Sequence, residues 1–336
     1  MEIAGAKLIE AIRAGTLATL PSAELSAAAL TRRNASGNTP LHVAATHGRL
    51  RELPAALLTR DHLTLRNDAG YTPLHHAAIG GHLDQIPAAM LIAENLALSS
   101  NAGVTVLHSA AASGFLSQVP PALLTAAAVL SRTGVGNTLL HEAAENGTLD
   151  RMPRDFLTAV NLANRNLGGE TVLHVAAFNG HLDQIPSERL TADVLREQTS
   201  AGDTVVHAAA ISSHLGQIPP GLLTAANLTV ASKSGFTAIH AAAETGQLDR
   251  IPRAQFTPEL LLTLNDNGDT PLHAAAAEGH LNQIPPALLT RAATGKRNYE
   301  GLTVAPEKSE QPPRDSGRQG SRVAGNLVEV AALFRE

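Results

Sequence analysis

Eight histidines stand at one spacing along this chain: His42, His75, His108, His141, His174, His207, His240 and His273, each 33 residues after the last. Imidazole is the commonest metal ligand and a general base near neutral pH, so the array invites a metal or a catalytic reading. Its geometry argues against both. Packed helices lie ~8–10 Å apart, whereas zinc holds nitrogen ligands at ~2.0–2.1 Å. Equivalent histidines on successive helices therefore do not converge on one ion. His75-His76 and Gly81-His82 supply further imidazoles within one stretch, but no His/Asp/Glu set has a ligand spacing. There is no Gly-x-x-x-x-Gly-Lys phosphate loop and no Gly-x-Ser-x-Gly elbow. Ser, His and Asp occur in no order that pairs a nucleophile with a base. The sequence thus predicts no catalytic residue, no metal site and no cofactor. Each imidazole is expected to bridge backbone groups within and between repeating units.

The elements that hold these histidines repeat with them. Gly37-Asn38-Thr39-Pro40-Leu41-His42-Val43-Ala44-Ala45 is the first full copy, and its threonine and glycine return in phase through Thr270 and Gly268. A second element keeps the same period: Leu50-Arg51-Glu52-Leu53-Pro54 recurs as Leu83-Asp84-Gln85-Ile86-Pro87 and on to Leu281-Asn282-Gln283-Ile284-Pro285. An early copy, Leu17–Pro21, is preceded not by Thr-x-Leu-His but by Lys7–Gly15, which reads as an amphipathic helix. End repeats are atypical because one face meets water. The chain therefore reads as an N-terminal capping repeat (1–33), eight full repeats (34–297) and a C-terminal segment (298–336) that opens a ninth unit.

The residue types explain the period. Threonine caps a helix through its hydroxyl, proline suits the first helical position, and the following alanines favour helix with little bulk. Gly279 is a left-handed helix end, and Gly268 follows a turn-forming Asn-Asp-Asn. Period, Thr-Pro-Leu-His-x-Ala signature (Thr72–Ala77) and the following Gly-His (Gly81-His82) together resemble the ankyrin repeat. The resemblance covers about residues 4–297 and implies an all-α fold, an ankyrin-like repeat solenoid that binds proteins. Proline follows the threonine only at Pro40, Pro73 and Pro271.

The second half of each unit departs from the family pattern. Ankyrin units run an unbroken helix there, but here a proline interrupts it in every unit, from Pro21 to Pro285. A mid-helix proline costs ~3 kcal/mol. A second helix starting at or just before the proline is therefore expected, followed by a short turn capped by threonine at Thr59, Thr125, Thr158, Thr191, Thr224 and Thr290. Each unit becomes one full helix plus two short helical pieces.

Bulk composition narrows the partner. The chain of 336 residues is 44% hydrophobic but only 16% charged and 2% aromatic, with no Trp and no Cys. Missing cysteine excludes disulfides and thiolate chemistry. A net charge of −5 offers no field for a nucleic-acid backbone. No apolar stretch approaches the ~20 residues that span a bilayer, and no basic n-region with an apolar run marks a secretion signal. A monomeric, cytoplasmic protein is the expectation.

Repeated positions build the framework, so non-repeating exposed positions should bind. The resemblance implies contacts at the turn tips and along the concave face. One column follows the turn glycine: Asn38, Tyr71, Val104, Asn137, Glu170, Asp203, Phe236 and Asp269. A second follows the Ala-Ala pair: Thr46, Ile79, Ala112, Glu145, Phe178, Ile211, Glu244 and Ala277. Exposed aromatics often act as interface anchors. The predicted partner-binding residues are Tyr71, Ile79, Glu145, Glu170, Phe178, Asp203, Ile211, Phe236 and Glu244: apolar anchors within negative charge, suited to a protein or peptide with a basic rim. The function expected is a non-catalytic interaction scaffold. The alternative is an adaptor or host-directed effector that positions an enzyme. Residues 306–322 read as disordered, and Asn326–Phe334 recovers helical spacing as a cap or a partner-binding helix.

Overall fold

The computed structural model describes residues 3–21 and 24–304. The readings of residues 306–322 and of Asn326–Phe334 lie outside them. The chain is all-helical, with isolated β-bridges such as Ser99 to Thr105 among the described residues. Its architecture is an ankyrin-like repeat solenoid.

The main helices are α1 (Ile3–Ala14), α2 (Pro40–Thr46), α3 (Pro73–Gly80), α4 (Val106–Ala112), α5 (Leu139–Asn146), α6 (Val172–Asn179), α7 (Val205–Ile211), α8 (Ala238–Glu244) and α9 (Pro271–Ala277). Two compact units divide between Leu157 and Thr158. In the first, α1 to α5 pack in chain order, and in the second, α6 to α9 do the same. The alanines make this close approach possible: Ala44, Ala45, Ala77, Ala78, Ala143 and Ala144 are fully buried in the first unit, as Ala176, Ala177, Ala209 and Ala210 are in the second.

Hairpin turns precede the helices, and each turn bonds to the next through its backbone. Within the first unit Asp68 N–H donates to Ser36 O (3.2 Å), Asn101 to Ala69 (2.9 Å) and Gly134 to Ala102 (2.7 Å). Within the second, Ser200 donates to Gly168 (3.0 Å), Lys233 to Ala201 (3.0 Å), Asp266 to Ser234 (3.2 Å) and Tyr299 to Asn267 (3.1 Å).

The proline-bearing half differs from its expected form. It holds three short pieces rather than two. Leu50–Glu52 is a 3-10 turn before the proline, Ala55–Leu57 a second 3-10 turn after it, and Arg60–Leu63 a four-residue α-helix. The proline is the N-cap of the second piece, not a helical residue: Pro54 has φ −56° and ψ 124°. The reason is steric and electronic. The residue before a proline is pushed out of the helical region, and Leu53 is extended at φ −91°, ψ 152°. Leu53 N–H closes the first turn onto Leu50 O, and Pro54 has no N–H with which to continue it. The expected threonine caps form: Thr59, Thr125, Thr158, Thr191, Thr224 and Thr290 each accept from the third backbone N–H that follows, as does Thr257.

The Leu-Asp-Gln-Ile-Pro motif gains a role. Gln118 Oε1 accepts from Leu83 N–H (2.9 Å) while its Nε2 donates to Gly81 O (2.6 Å). Gln283 does the same to Leu248 N–H (3.0 Å) and Gly246 O (2.9 Å). One amide thus satisfies a donor and an acceptor of the preceding repeat. Where Arg250 replaces the glutamine, Gln247 takes over, accepting from Leu215 N–H (2.9 Å) and donating to Ala210 O (2.7 Å).

Helix ends carry left-handed glycines at Gly48, Gly81, Gly114, Gly147, Gly180, Gly246 and Gly279, and a Cβ on Gly180 would stand 2.7 Å from the His214 ring. The exception is Ser213, at φ 67°. A left-handed L-residue costs ~1–2 kcal/mol. Ser213→Gly is expected to raise stability by ~0.5–1 kcal/mol, part of the relief being lost to the greater freedom of unfolded glycine. Urea unfolding measures it, and a lowered midpoint would contradict the strain assigned to Ser213.

Candidate interaction surface

The histidines must be placed first, because they decide what remains free. Each opens its helix. Thr72 N–H donates to His75 Nδ1 (3.1 Å), and the same bond runs from Thr39 to His42 (3.0 Å) and from Thr270 to His273 (3.1 Å). A backbone N–H can only donate, so Nδ1 is the bare nitrogen and the proton sits on Nε2. That N–H donates onward to the next hairpin: His42 to Tyr71 O (3.1 Å), His75 to Val104 O (3.0 Å), His207 to Phe236 O (3.1 Å) and His240 to Asp269 O (3.1 Å). The imidazoles bridge backbone groups within and between repeats, as expected. Among the described residues no group of three or more His, Asp or Glu is placed to hold a metal ion.

This bridge fixes the first candidate column. Tyr71, Val104, Asp203, Phe236 and Asp269, each following a turn glycine, present their carbonyls to the preceding histidine, which draws them inward. Tyr71 and Phe236 were expected as exposed anchors, but they are buried at 0% and 2% exposure. The Tyr71 ring meets His75 edge-on at 5.3 Å, and Phe236 stacks on His240 at 5.3 Å. Both are framework. Ile79, on the second column, is buried too. Asp203 and Glu170 stay half-buried in the same first column. Glu170 Oε2 accepts from Asn166 Nδ2 (2.8 Å), while the Asp203 carbonyl accepts from His174 Nε2 (3.2 Å).

The second column fares better in the second unit. Phe178, Ile211 and Glu244 occupy equivalent places near the ends of α6, α7 and α8, which pack in that order. Phe178 is half-buried, Ile211 is 42% exposed and Glu244 is exposed. In the first unit Glu145 is half-buried on α5.

Sequence reasoning missed two sets. Leu167 and Tyr299 project from hairpin tips of the second unit at 75% and 74% exposure. Their common register, four periods apart, was a usable signal. The other set is the residue immediately after each histidine: Val43, His76, Ser109, Glu142, Val175, Ala208, Ala241 and Ala274. It is polar only at His76, Ser109 and Glu142, and those three are buried. Burial, reinforced by the Glu145 carboxylate, pushes the Glu142 carboxyl up to about 7, against an opposing hydrogen bond from Asn137. That bond runs from Asn137 Nδ2 to Glu142 Oε1 at 3.1 Å.

These observations define the class. The ankyrin repeat family model matches residues 267–293, which include α9 and its capping Thr270. The same helix, cap and hairpin recur across both units. The match and the repeated helices are together consistent with an ankyrin-repeat protein, in a form whose second helix is interrupted by proline. Ankyrin repeats bind proteins generally and are typically non-catalytic. No curated protein matches the chain. No helix among the described residues is long and apolar enough to cross a membrane.

Two pH effects follow. Burial holds His42, His108 and His174 down at about 4 and His75 at about 3, although their carbonyl partners oppose this. The unfolded chain therefore takes up these protons first, and the stability they support is complete above pH ~6.5 and lost as pH falls toward ~4. Melting followed by circular dichroism should show a steep drop across that window. A flat profile would remove the neutral-histidine framework. Glu142 acts in the opposite sense: its folded value lies above its unfolded one, so stability is lost as pH rises from ~4.5 to ~7. Glu142→Gln should match the parent near pH 4.5 and exceed it at pH 8 by up to ~3 kcal/mol. Equal stability at both pH values would refute the assignment.

Proposed function

We propose that this protein is a non-catalytic scaffold whose second unit binds a protein or peptide segment carrying an apolar side chain flanked by basic residues. The observation that carries the reading is Ile211. It is a large apolar side chain left 42% exposed at the end of α7. Phe178 lies one repeat before it and Glu244 one repeat after. Glu170 and Asp203 add negative charge on the hairpins of the same unit.

Residues that hold the framework are excluded from this role by their own bonds. Ile211 belongs to no repeated bond of that kind, which leaves it available. Exposed Leu167 and Tyr299 extend the surface to the hairpin tips. An apolar anchor desolvated within a charged rim is the arrangement that concentrates binding energy, and the acidic rim favours basic partners and speeds their encounter.

The test is affinity capture with the full chain from native lysate, read by mass spectrometry, beside the Ile211→Asp variant. The parent should retain a specific protein that Ile211→Asp loses by at least tenfold. Melting should be nearly unchanged, because an exposed substitution away from buried bonds alters stability by ~0.5 kcal/mol or less. Retention of the same partner by Ile211→Asp would sink this surface.

A further inference from the structure

The end of α7 departs from its equivalents at two neighbouring places. A left-handed glycine follows each of the other main helices, from Gly15 after α1 to Gly279 after α9. After α7 the residue is Ser213, the one residue other than glycine with positive φ among the described residues. Two residues before it stands Ile211, the large apolar side chain left exposed on that helix.

In the other repeats a side chain at this place would meet the next repeat. A Cβ on Gly48 would stand 2.7 Å from the His82 ring, on Gly81 2.6 Å from Phe115, on Gly180 2.7 Å from His214 and on Gly246 2.8 Å from His280. Ser213 has no ring after it, because the equivalent residue is Gln247. That side chain is committed elsewhere: its amide donates to Ala210 O (2.7 Å) and accepts from Leu215 N–H (2.9 Å). Ser213 is therefore left exposed. No hydrogen bond joins its hydroxyl to another described residue.

Open space permits a serine here but does not call for one. Glycine adopts this backbone without a steric cost. Residues held in such conformations cluster at binding and switch sites, and the position beside Ile211 fits that pattern. When a partner's apolar side chain covers Ile211, the partner's main chain beside it also loses water. A peptide N–H or C=O taken out of water needs a hydrogen-bond partner. Glycine has no side chain to offer. A serine hydroxyl can donate to a carbonyl or accept from an N–H, and it turns among staggered positions to meet either.

We infer that Ser213 is a binding residue of the second unit: its hydroxyl hydrogen-bonds the main chain of the bound segment beside the apolar side chain that covers Ile211. The reach agrees. Two residues of chain span at most ~7 Å, and an extended segment rises ~3.3 Å per residue. The hydroxyl thus falls opposite main chain about two residues from the seated side chain. The left-handed serine weakens the free protein and gains its hydrogen bond only when a segment is seated. A segment without an apolar side chain leaves the hydroxyl in water, where a new bond gains little. Ser213 therefore adds to the selection that Ile211 begins.

The inference rests on the reading of Ile211 as an anchor, and the test separates the two. The immobilised full chain is offered two random octapeptide pools that differ only in one fixed central residue, Leu or Ser. The parent should retain the Leu pool at least tenfold above the Ser pool, and Ile211→Asp should abolish that preference. Ser213→Gly should lower retention of the Leu pool about fivefold, the net effect of one hydrogen bond, while its midpoint in urea rises. Weaker binding by a more stable protein is a combination that loss of folding cannot produce. Ser213→Ala keeps the left-handed strain and removes only the hydroxyl, so it should show the same loss at the parent's midpoint. Parental retention of the Leu pool by both Ser213→Gly and Ser213→Ala, with Ile211→Asp deficient, overturns the inference and leaves the Ile211 anchor standing. A preference for Leu that the parent lacks, or that survives Ile211→Asp, overturns both.

Discussion

The hairpins of Tyr71, Val104, Asp203, Phe236 and Asp269 each turn a backbone carbonyl toward the preceding repeat, and a buried polar group without a partner is expensive. The histidine of the preceding repeat answers it. Imidazole is suited because its two nitrogens point in opposite directions and can hold opposite roles. Nδ1 accepts from the threonine N–H that opens its own helix, which fixes the proton on Nε2, which then donates to the next hairpin. The ring must stay neutral for this to work, and burial keeps it neutral. Helix start, hairpin position and repeat spacing are all tied to that one ring.

A second seam joins successive repeats within each unit. There the glutamine of the Leu-Asp-Gln-Ile-Pro motif spans the same kind of gap, from a leucine N–H to a glycine carbonyl. The replacement of that glutamine by Arg250 shows that the constraint is on the bond, not on the position. Gln247, three residues earlier, supplies an amide to the preceding repeat instead. The proline beside this seam ends one 3-10 turn and caps another, so the chain folds back in short pieces rather than in one continuous helix.

Function follows by subtraction. Positions that hold the seams are unavailable, which removes Tyr71 and Phe236 despite their rings. What remains divides by unit. In the second, Ile211 is an apolar side chain left exposed at the end of α7. In the first, the break in the pattern is buried: three polar residues where a core asks for none.

The fold was legible in the sequence because its signals are periodic. Thr39, His42 and Gly48, with their copies, are a local code for cap, bridge and helix end, and the same code repeated at constant spacing leaves one way to stack. The threonine caps at Thr59 and its equivalents were legible for the same reason: an N-cap bond reaches only three residues. Exposure was not legible. Whether Tyr71 faces water or a histidine ring depends on where the preceding repeat's Nε2 lands, and that is a contact across 29 residues. The burial of His76, Ser109 and Glu142 was hidden likewise, since a helix position next to a framework histidine reads the same in sequence whether its neighbour covers it or not. Local bonds are written in adjacent residues, whereas accessibility is set by the packing of successive repeats within each unit, which no local pattern encodes.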